Sequence, residues 1–407
     1  MKAKSAIAAP DLHAHPGARA SLVSSRQTMS VVAIEDFDAL EDYVQAWEDL
    51  AASAVEPNPF YEPWMLMPAL RAFTTGKNVR VALVLDLTHD APVLCGVFPL
   101  ERKIRYKKLP VAAYGLWQHI YCALCTPLIR AGRERECLNT LLDWLASERD
   151  SALIEFNQVS GDGPVRRLLD DCLSERKAHA LISESHTRAM FRPAESADQY
   201  VRSALRRDHR KDLRRKTRRL SERGNLAFEA LAPGGDLDRW TGEFLDLEAS
   251  GWKTRDGGAF ACSEVNRNYF VAIAKAAFEK GRLMMLALRL DGKPVAMKCN
   301  LLSEPGSFAF KIAFDESYAA YSPGVILELE NIRLLHAEQR VKWMDSCAAP
   351  DHPMIDRLWP GRRPIHSLLV PTGGMAGGLV VSALPVLRSL KRKLRGLPVP
   401  PRQEIAR

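Results

Sequence analysis

The chain has 407 residues, 47% hydrophobic and 26% charged, an ordinary globular composition with enough length for two domains. Its 57 Lys and Arg against 49 Asp and Glu give a formal charge of +8, yet the window 202–223 alone holds eleven basic and three acidic residues, the whole of that excess. A uniformly basic surface is thereby excluded, and so is a transmembrane helix, because no apolar run approaches the ~20 residues that one needs. The sequence reads as that of a cytoplasmic protein.

Residues 1–30, rich in Ala, Ser, His and Pro, read as a flexible leader. An N-terminal α/β domain over 31–192 opens with a strand, Val31 to Ile34, and a helix in which Leu40, Tyr43, Val44 and Trp47 recur at helical spacing. "PNPFYEPWMLMPAL" predicts a packed turn feeding a second helix. The strands "VALVLDL", "APVLCGVFPLERKI" and "SALIEFNQV", with the helix "ERECLNTLLDWLASE" between the last two, alternate in the α/β manner. The basic run "RRDHRKDLRRKTRRLSERG", inside a segment 193–225, carries a thin apolar stripe of Val201, Leu205, Leu213 and Leu220. With Asp208 and Lys211, and Asp212 and Lys216, at helical spacing it reads as a basic connecting helix.

Residues 226–370 repeat the plan. A strand "NLAFEAL" precedes the helices "LDRWTGEFLDLEAS" and "NRNYFVAIAKAAFEKG". The stretch "RLMMLALRLDGKPVAMKCNLLS" is a hairpin turned at Asp291-Gly292, and "GSFAFKIAFDE" follows Pro305-Gly306. A helix "VILELENIRLLHAEQR" and a strand "VKWMDSC" close the unit. In the tail, 371–407, Leu384, Leu387, Leu390 and Leu394 stand beside Arg388, Lys391, Arg392, Lys393 and Arg395, a basic amphipathic pattern suited to anionic lipid, with Pro385 limiting any helix upstream. A solvated basic tail fits the same text.

Most of the eight cysteines lie in apolar, strand-like text (Cys95, Cys122, Cys125, Cys299, Cys347) without the spacing of a secreted disulfide framework, so reduced thiols are expected. His119, Cys122 and Cys125 have metal-like spacing but no second pair to complete four ligands, and no metal is expected.

The stretch richest in chemistry is "DESYAAYSPGVILELE". Ser322 supplies a hydroxyl at a helix N-cap, Pro323 the first helical position and Gly324 room for close approach, a combination suited to a pyrophosphate. Taken with "FLDLEASGWKTRDGGAF", "GKPVAMKCNLL", "FKIAFDESYAAYSPGVILELENIRLL", "VKWMDSC" and "DRLWPGRRP", the chain over 195–370 resembles the GNAT N-acetyltransferase superfamily. The blocks are most similar to a cellulose-biosynthesis-type acyltransferase branch related to the Fem-type peptidyltransferases. "NPFYEPWMLMPAL" and "CALCTPLI" extend the likeness more loosely into the first half. The phosphate turn departs from the superfamily pattern, since "YSPG" has one glycine where a Gln or Arg followed by a glycine-rich loop is usual.

The resemblance implies two tandem acetyltransferase-like (GNAT) α/β domains with mixed, largely antiparallel sheets. It implies acyl transfer from acyl-coenzyme A, as co-substrate, to a small-molecule amine such as a cell-envelope or polysaccharide precursor. Asp345 and Glu248 are then the candidate bases and Tyr321 the candidate acid. Tyr318, Ser322, Pro323 and Gly324 would hold the donor, and Lys253 and His119 would meet substrate. Salt-bridged carboxylates, loop-packed tyrosines and a satisfied core histidine are the bland alternatives at these positions. Two rival functions share the text: a Fem-like transferase drawing on aminoacyl-transfer RNA, and a catalytically silent module that binds RNA or the inner membrane face.

Overall fold

The computed structural model describes residues 18–20, 28–251 and 259–394. They fall into two compact units, one within Met1–His186 and Pro364–Arg407, the other Thr187–Arg363. In chain order the first run of elements is β1 (Ala18–Ala20), β2 (Met29–Ile34), α1 (Val44–Ala52), α2 (Pro63–Phe73), β3 (Val79–Asp86), β4 (Val93–Lys103), β5 (Ala113–Leu116), β6 (Leu128–Ile129), α3 (Glu134–Glu148), β7 (Leu153–Ser160), α4 (Pro164–Glu175) and β8 (Leu181–Phe191). Then come α5 (Ala197–Ala204), α6 (Arg207–Ser221), β9 (Leu226–Ala230), α7 (Leu237–Ala249), α8 (Glu264–Glu279), β10 (Leu283–Leu290), β11 (Lys293–Ser303), β12 (Gly306–Phe314), α9 (Pro323–Glu338), β13 (Trp343–Asp345) and α10 (Ile355–Leu358). The chain closes with β14 (Gly361–Pro371) and α11 (Gly374–Leu394).

In the first unit the strand order is β1-β2-β3-β4-β5-β7-β14, with β6 beside β4. Among the described residues of this unit only β5 and β7 run parallel, and α3 makes the crossover between them. Every residue of β3 is buried, which is why its text is a near-continuous apolar run. The helix expected from Leu40 begins instead as a 3-10 turn, Phe37–Tyr43, because the Asp36 carboxylate takes the Asp38 amide at 3.2 Å and tightens the entry; the α-helix starts at Val44. Part of the expected leader, Ala18–Ala20, pairs antiparallel with β2, a contact too short to leave a period in the sequence.

The last strand, β14, runs antiparallel to β7 from Ile365↔Ser160 to Pro371↔Leu153 and completes this sheet. The text of β14 offers no hint of a partner two hundred residues earlier. After it, α11 continues through Pro385, where only a limited helix was expected. Proline removes one backbone donor without stopping a helix that packing already holds. Here Val381, Val380 and Leu384 pack with Tyr106, Ala113, Leu153 and Leu369.

In the second unit residues 187–191 of β8 lead the order β8-β13-β12-β11-β10-β9. Among the described residues of this unit only β12 and β13 are parallel, joined by the crossover helix α9. Asp291 and Gly292 both take left-handed backbone (φ 50° and 78°), as the hairpin dipeptide predicts. The segment 193–225 folds as two helices, α5 and then α6, which holds the basic run, with the break where Leu205 is extended. Leu213 and Leu220 of α6 enter this unit's core, and Lys216 pairs with Asp212 at 3.2 Å. Each unit is thus a mixed, largely antiparallel sheet with one parallel pair spanned by a crossover helix.

Candidate functional site

In the second unit β12 and β13 pair over three positions only, Gly306↔Trp343, Ser307↔Met344 and Phe308↔Asp345, while β12 runs on to Phe314. Beyond Phe308 the two chains part and leave a wedge. A cavity of about 60 Å³ fills it, lined by Ala309, Lys311, Ser346, Ala348, Lys298 and Glu328 among others. A wider cleft of about 260 Å³ shares Ile312, His352 and Met354 with this cavity and reaches Glu248, Gly251 and Phe314.

The wedge is floored by ion pairs taken out of water. Lys298 on β11 is 2% exposed and bonds the Glu328 carboxylate on α9, itself fully buried. Asn331 donates to Glu328 at 2.8 Å, Asn300 donates to Asn331 at 3.0 Å, and the Lys298 ammonium sits 5.3 Å from the centre of the Trp359 ring. Burying such a pair costs several kcal/mol that its own attraction and further bonds must offset, and here Lys298 and Asn331 between them meet both Glu328 oxygens. Glu248, at the end of α7, accepts the Phe260 amide at 2.8 Å and lies 3.5 Å from Lys311. Burial pulls the Lys311 ammonium below its ordinary pKa, and the Glu248 charge works against that pull. His352 accepts the Met354 amide on Nδ1 at 3.3 Å, which leaves Nε2 as the donor of a neutral ring.

Asp345 is differently placed. Its fully buried carboxylate receives Arg188 at 2.6 and 2.7 Å, Arg363 at 2.8 Å and the Cys347 amide at 2.9 Å. Burial alone would raise its pKa, but the two guanidiniums hold it below the usual carboxylate range. A carboxylate so held is a poor proton acceptor, so the base expected at this position is, by geometry, a clamp joining β8, β13 and the start of β14.

The turn before α9 gathers the residues expected to hold a donor. Ser322 is left-handed (φ 55°) and occupies the N-cap position, but its hydroxyl receives Lys216 of α6 at 3.1 Å and does not cap the helix. That backbone region costs a residue with a Cβ about 1–3 kcal/mol and is kept where the surroundings fix it. The Arg219 guanidinium lies 6.0 Å from the centre of the Tyr321 ring, and the Tyr318 and Tyr321 rings are 6.5 Å apart. The amides of Ser322, Val325 and Ile326 already bond carbonyls of the turn, and Pro323 has none. Gly324 is buried, and its Cα faces Ile312, Phe314 and Met354, which line the cleft.

His119 lies in the first unit, 4% exposed, its ring stacked on Phe73 at 5.2 Å and its Nδ1 taking the Tyr121 amide at 3.4 Å. Burial, helped by Lys77, lowers its pKa to about 3, so the ring expected to meet substrate is a neutral core residue. In the window between that value and its ordinary 6.5 the unfolded chain binds a proton the folded chain refuses. Stability is therefore expected to fall as pH drops from about 6.5 towards 3, and an NMR titration of the ring should show no protonation between pH 5 and 8. The Cys122 and Cys125 thiols beside it are 3.8 Å apart and buried. Among the described residues no group of three or more His, Cys, Asp and Glu side chains could hold a metal ion. Lys253 lies outside the described residues.

The matching place in the first unit is built otherwise. There β5 and β7 pair over three positions, and the gap beyond is taken by Asn157, which donates to the Leu116 carbonyl at 2.6 Å, and by the Cys125 amide on the Gln158 carbonyl at 3.0 Å. Its crossover helix α3 opens with Glu134 and Glu136, which repel a phosphate, where α9 opens with Pro323 and Gly324 beside two cations. Sequence reading missed Lys298, Lys311, Glu328, Ser346 and His352. The available signal was charge inside apolar text: "AMKCNLL" and "LELEN" carry Lys298 and Glu328 at positions that the strand or helix period buries, and "FKIAF" carries Lys311 at a partly buried one.

Residues 207–352 match the family model described as "Acetyltransferase (GNAT) domain". The matched segment lies wholly inside the second unit, and the α/β plan of the fold, with mixed and largely antiparallel strands, agrees with what the resemblance implies. Among solved structures, FemX is similar at 12% identity with a TM-score of 0.50, covering 80% of this chain and 95% of that one. The C-terminal domain of a putative lysylphosphatidylglycerol synthetase from Agrobacterium fabrum matches at 13% identity and a TM-score of 0.47, covering 85% and 97%. A tandem GNAT protein from the clavulanic acid biosynthesis pathway matches at 16% and 0.42, covering 85% and 99%. No curated protein matches the sequence. Among the described residues no helix is long and apolar enough to cross a membrane.

Proposed function

We propose that the GNAT-type unit is an N-acyltransferase that moves an acyl group from acyl-coenzyme A to the amine of a small molecule, a cell-envelope or polysaccharide precursor. On this reading it works in the cytoplasm and falls in the cellulose-biosynthesis-type branch. The observation that carries the proposal is the wedge between β12 and β13: it opens beside the start of α9, within the segment that matches the acetyltransferase family.

The donor's pantetheine arm would run through the wedge, with its thioester carbonyl against the edge of β12 that β13 leaves, where backbone donors meet the developing oxyanion. Its phosphates would lie at the Gly324 amide, with Lys216 and Arg219 supplying the positive charge that a glycine-rich loop would otherwise replace with amides. Tyr318 and Ser322 complete that end, and Lys253 remains the proposed cation on the acceptor side. The amine nitrogen attacks the carbonyl carbon; the C–N bond forms, the C–S bond breaks and the thiolate leaves. Glu248, facing the wider cleft with Lys311 beside it, takes the amine proton and returns one to the thiolate, while Tyr321, the acid that the resemblance implies, stands with Arg219 at the phosphate end.

Calorimetric titration with acetyl-coenzyme A and a longer acyl-coenzyme A is expected to give saturable binding at one site per chain. Lys216→Ala with Arg219→Ala should weaken it roughly tenfold to a hundredfold, the scale of losing charge-assisted hydrogen bonds to phosphate. One observation favours a second reading, since Arg214, Arg215 and Arg218 of α6 are exposed and unneeded for so small a donor. Absence of thioester binding together with salt-sensitive transfer-RNA binding would replace the first reading with the Fem-like one.

A further inference from the structure

Helix α11 turns one face to the first unit's core and another to solvent. Val381 is buried there, with Val380 and Leu384 packed against the cluster around Tyr106, Leu109 and Val111. Leu379 and Val386 are 69% and 59% exposed, seven residues apart and hence on one helical face. Beyond them the helix carries Arg388, Lys391, Arg392 and Lys393 in its sequence, and Arg395 follows. No Asp or Glu occurs anywhere from Arg357 to Gln403.

The loop under this helix repeats the same chemistry. It joins β4 to β5 and holds Tyr106 and Leu109 in the α11 cluster, while Ile104 stands out at 79% exposure. Around Ile104 are Lys103, Arg105, Lys107 and Lys108. Only part of that charge is neutralised: Lys103 pairs with Glu101 at 3.3 Å and Lys107 with Glu184 at 3.2 Å.

We infer that this face of the first unit docks on an anionic lipid surface. Three large apolar side chains held in water, on two elements that pack together, have a use where acyl chains are available, and the cations near them in the sequence complement anionic headgroups. An RNA would engage the cations and gain nothing from Ile104, Leu379 or Val386. Each Lys or Arg brought near such a surface strengthens binding by about fivefold, so a handful suffices for reversible attachment without a spanning helix. The inference does not rest on the acyl-transfer reading.

Co-sedimentation of the full chain with phosphatidylcholine vesicles, with and without phosphatidylglycerol, tests it. Binding is expected only with the anionic lipid, weakening as salt rises. Ile104→Ser with Leu379→Ser and Val386→Ser should reduce it at least about tenfold, given the apolar area withdrawn. Lys391→Glu with Lys393→Glu should abolish it, circular dichroism remaining that of the parent in both cases. Failure to sediment, equal sedimentation with neutral vesicles, or binding that the triple serine variant leaves intact and RNA displaces would each overturn the inference. Acetyl-coenzyme A titration of the same variants is expected to be unchanged, which keeps this surface separate from the donor site.

Discussion

Asp345→Ala is expected to destabilise the second unit by roughly 3–5 kcal/mol, the cost of stranding buried charge when one partner of an ion pair is removed. Both Arg188 and Arg363 are at most 5% exposed and lose their carboxylate together, and β13 loses the bond that fixes its exit at Cys347. Chemical denaturation should show the loss as a lowered midpoint at unchanged slope. A variant that kept parental stability and lost only kcat would return Asp345 to the role of base. The sign of the pH effect follows from the depressed pKa: the contribution of Asp345 is present above the unfolded carboxylate value of about 3.9 and is lost as pH falls through the lower folded value. Asp345→Asn, which keeps the shape and the amide bond, should flatten that acid limb.

Gly324→Trp is expected to lower affinity for acyl-coenzyme A more than a hundredfold, whereas Gly324→Ala leaves it near the parent. The contrast comes from distances. A Cβ at Gly324 would meet Ile312 and Phe314 at 3.7 Å and Met354 at 3.8 Å, ordinary contacts that a methyl group fills without displacing anything. An indole must project past those side chains into the cleft they line, where the donor is proposed to lie. Retention of coenzyme A binding by the tryptophan variant, with an unchanged melting temperature, would remove α9 from the donor site.

Much of the fold was legible in the sequence, and the reasons are local. Helix α3 matches its spacing residue for residue, the Asp291-Gly292 turn has the backbone its dipeptide demands, and Ser322-Pro323 marks the start of α9. Long-range facts were not legible. Nothing in "GRRPIHSLLVP" says that most of β14 serves the first unit, and nothing near Asp345 says that Arg188, more than 150 residues earlier, has claimed it. The site divided along the same line. Ser322 and Gly324 stand out in the text because a helix start is written in adjacent residues. Lys298, Lys311 and Glu328 are not legible there because a charge in apolar text acquires its meaning from the partner that the fold brings, and Lys216 and Arg219 read as solvated helix in a text that does not show Ser322 and Tyr321 beside them.

The pairing of β14 with β7 also sets a clock. A ribosome adding ~5–20 residues per second needs on the order of 10–40 s to go from β7 to the strand that must lie against it. During that interval β7 has an open edge, and its backbone donors and acceptors have no strand to meet on that side. The whole second unit is made in the meantime. The first unit is therefore started first and finished last, so a premature stop within the second unit is expected to leave two faulty units, one truncated and the other with an exposed seam.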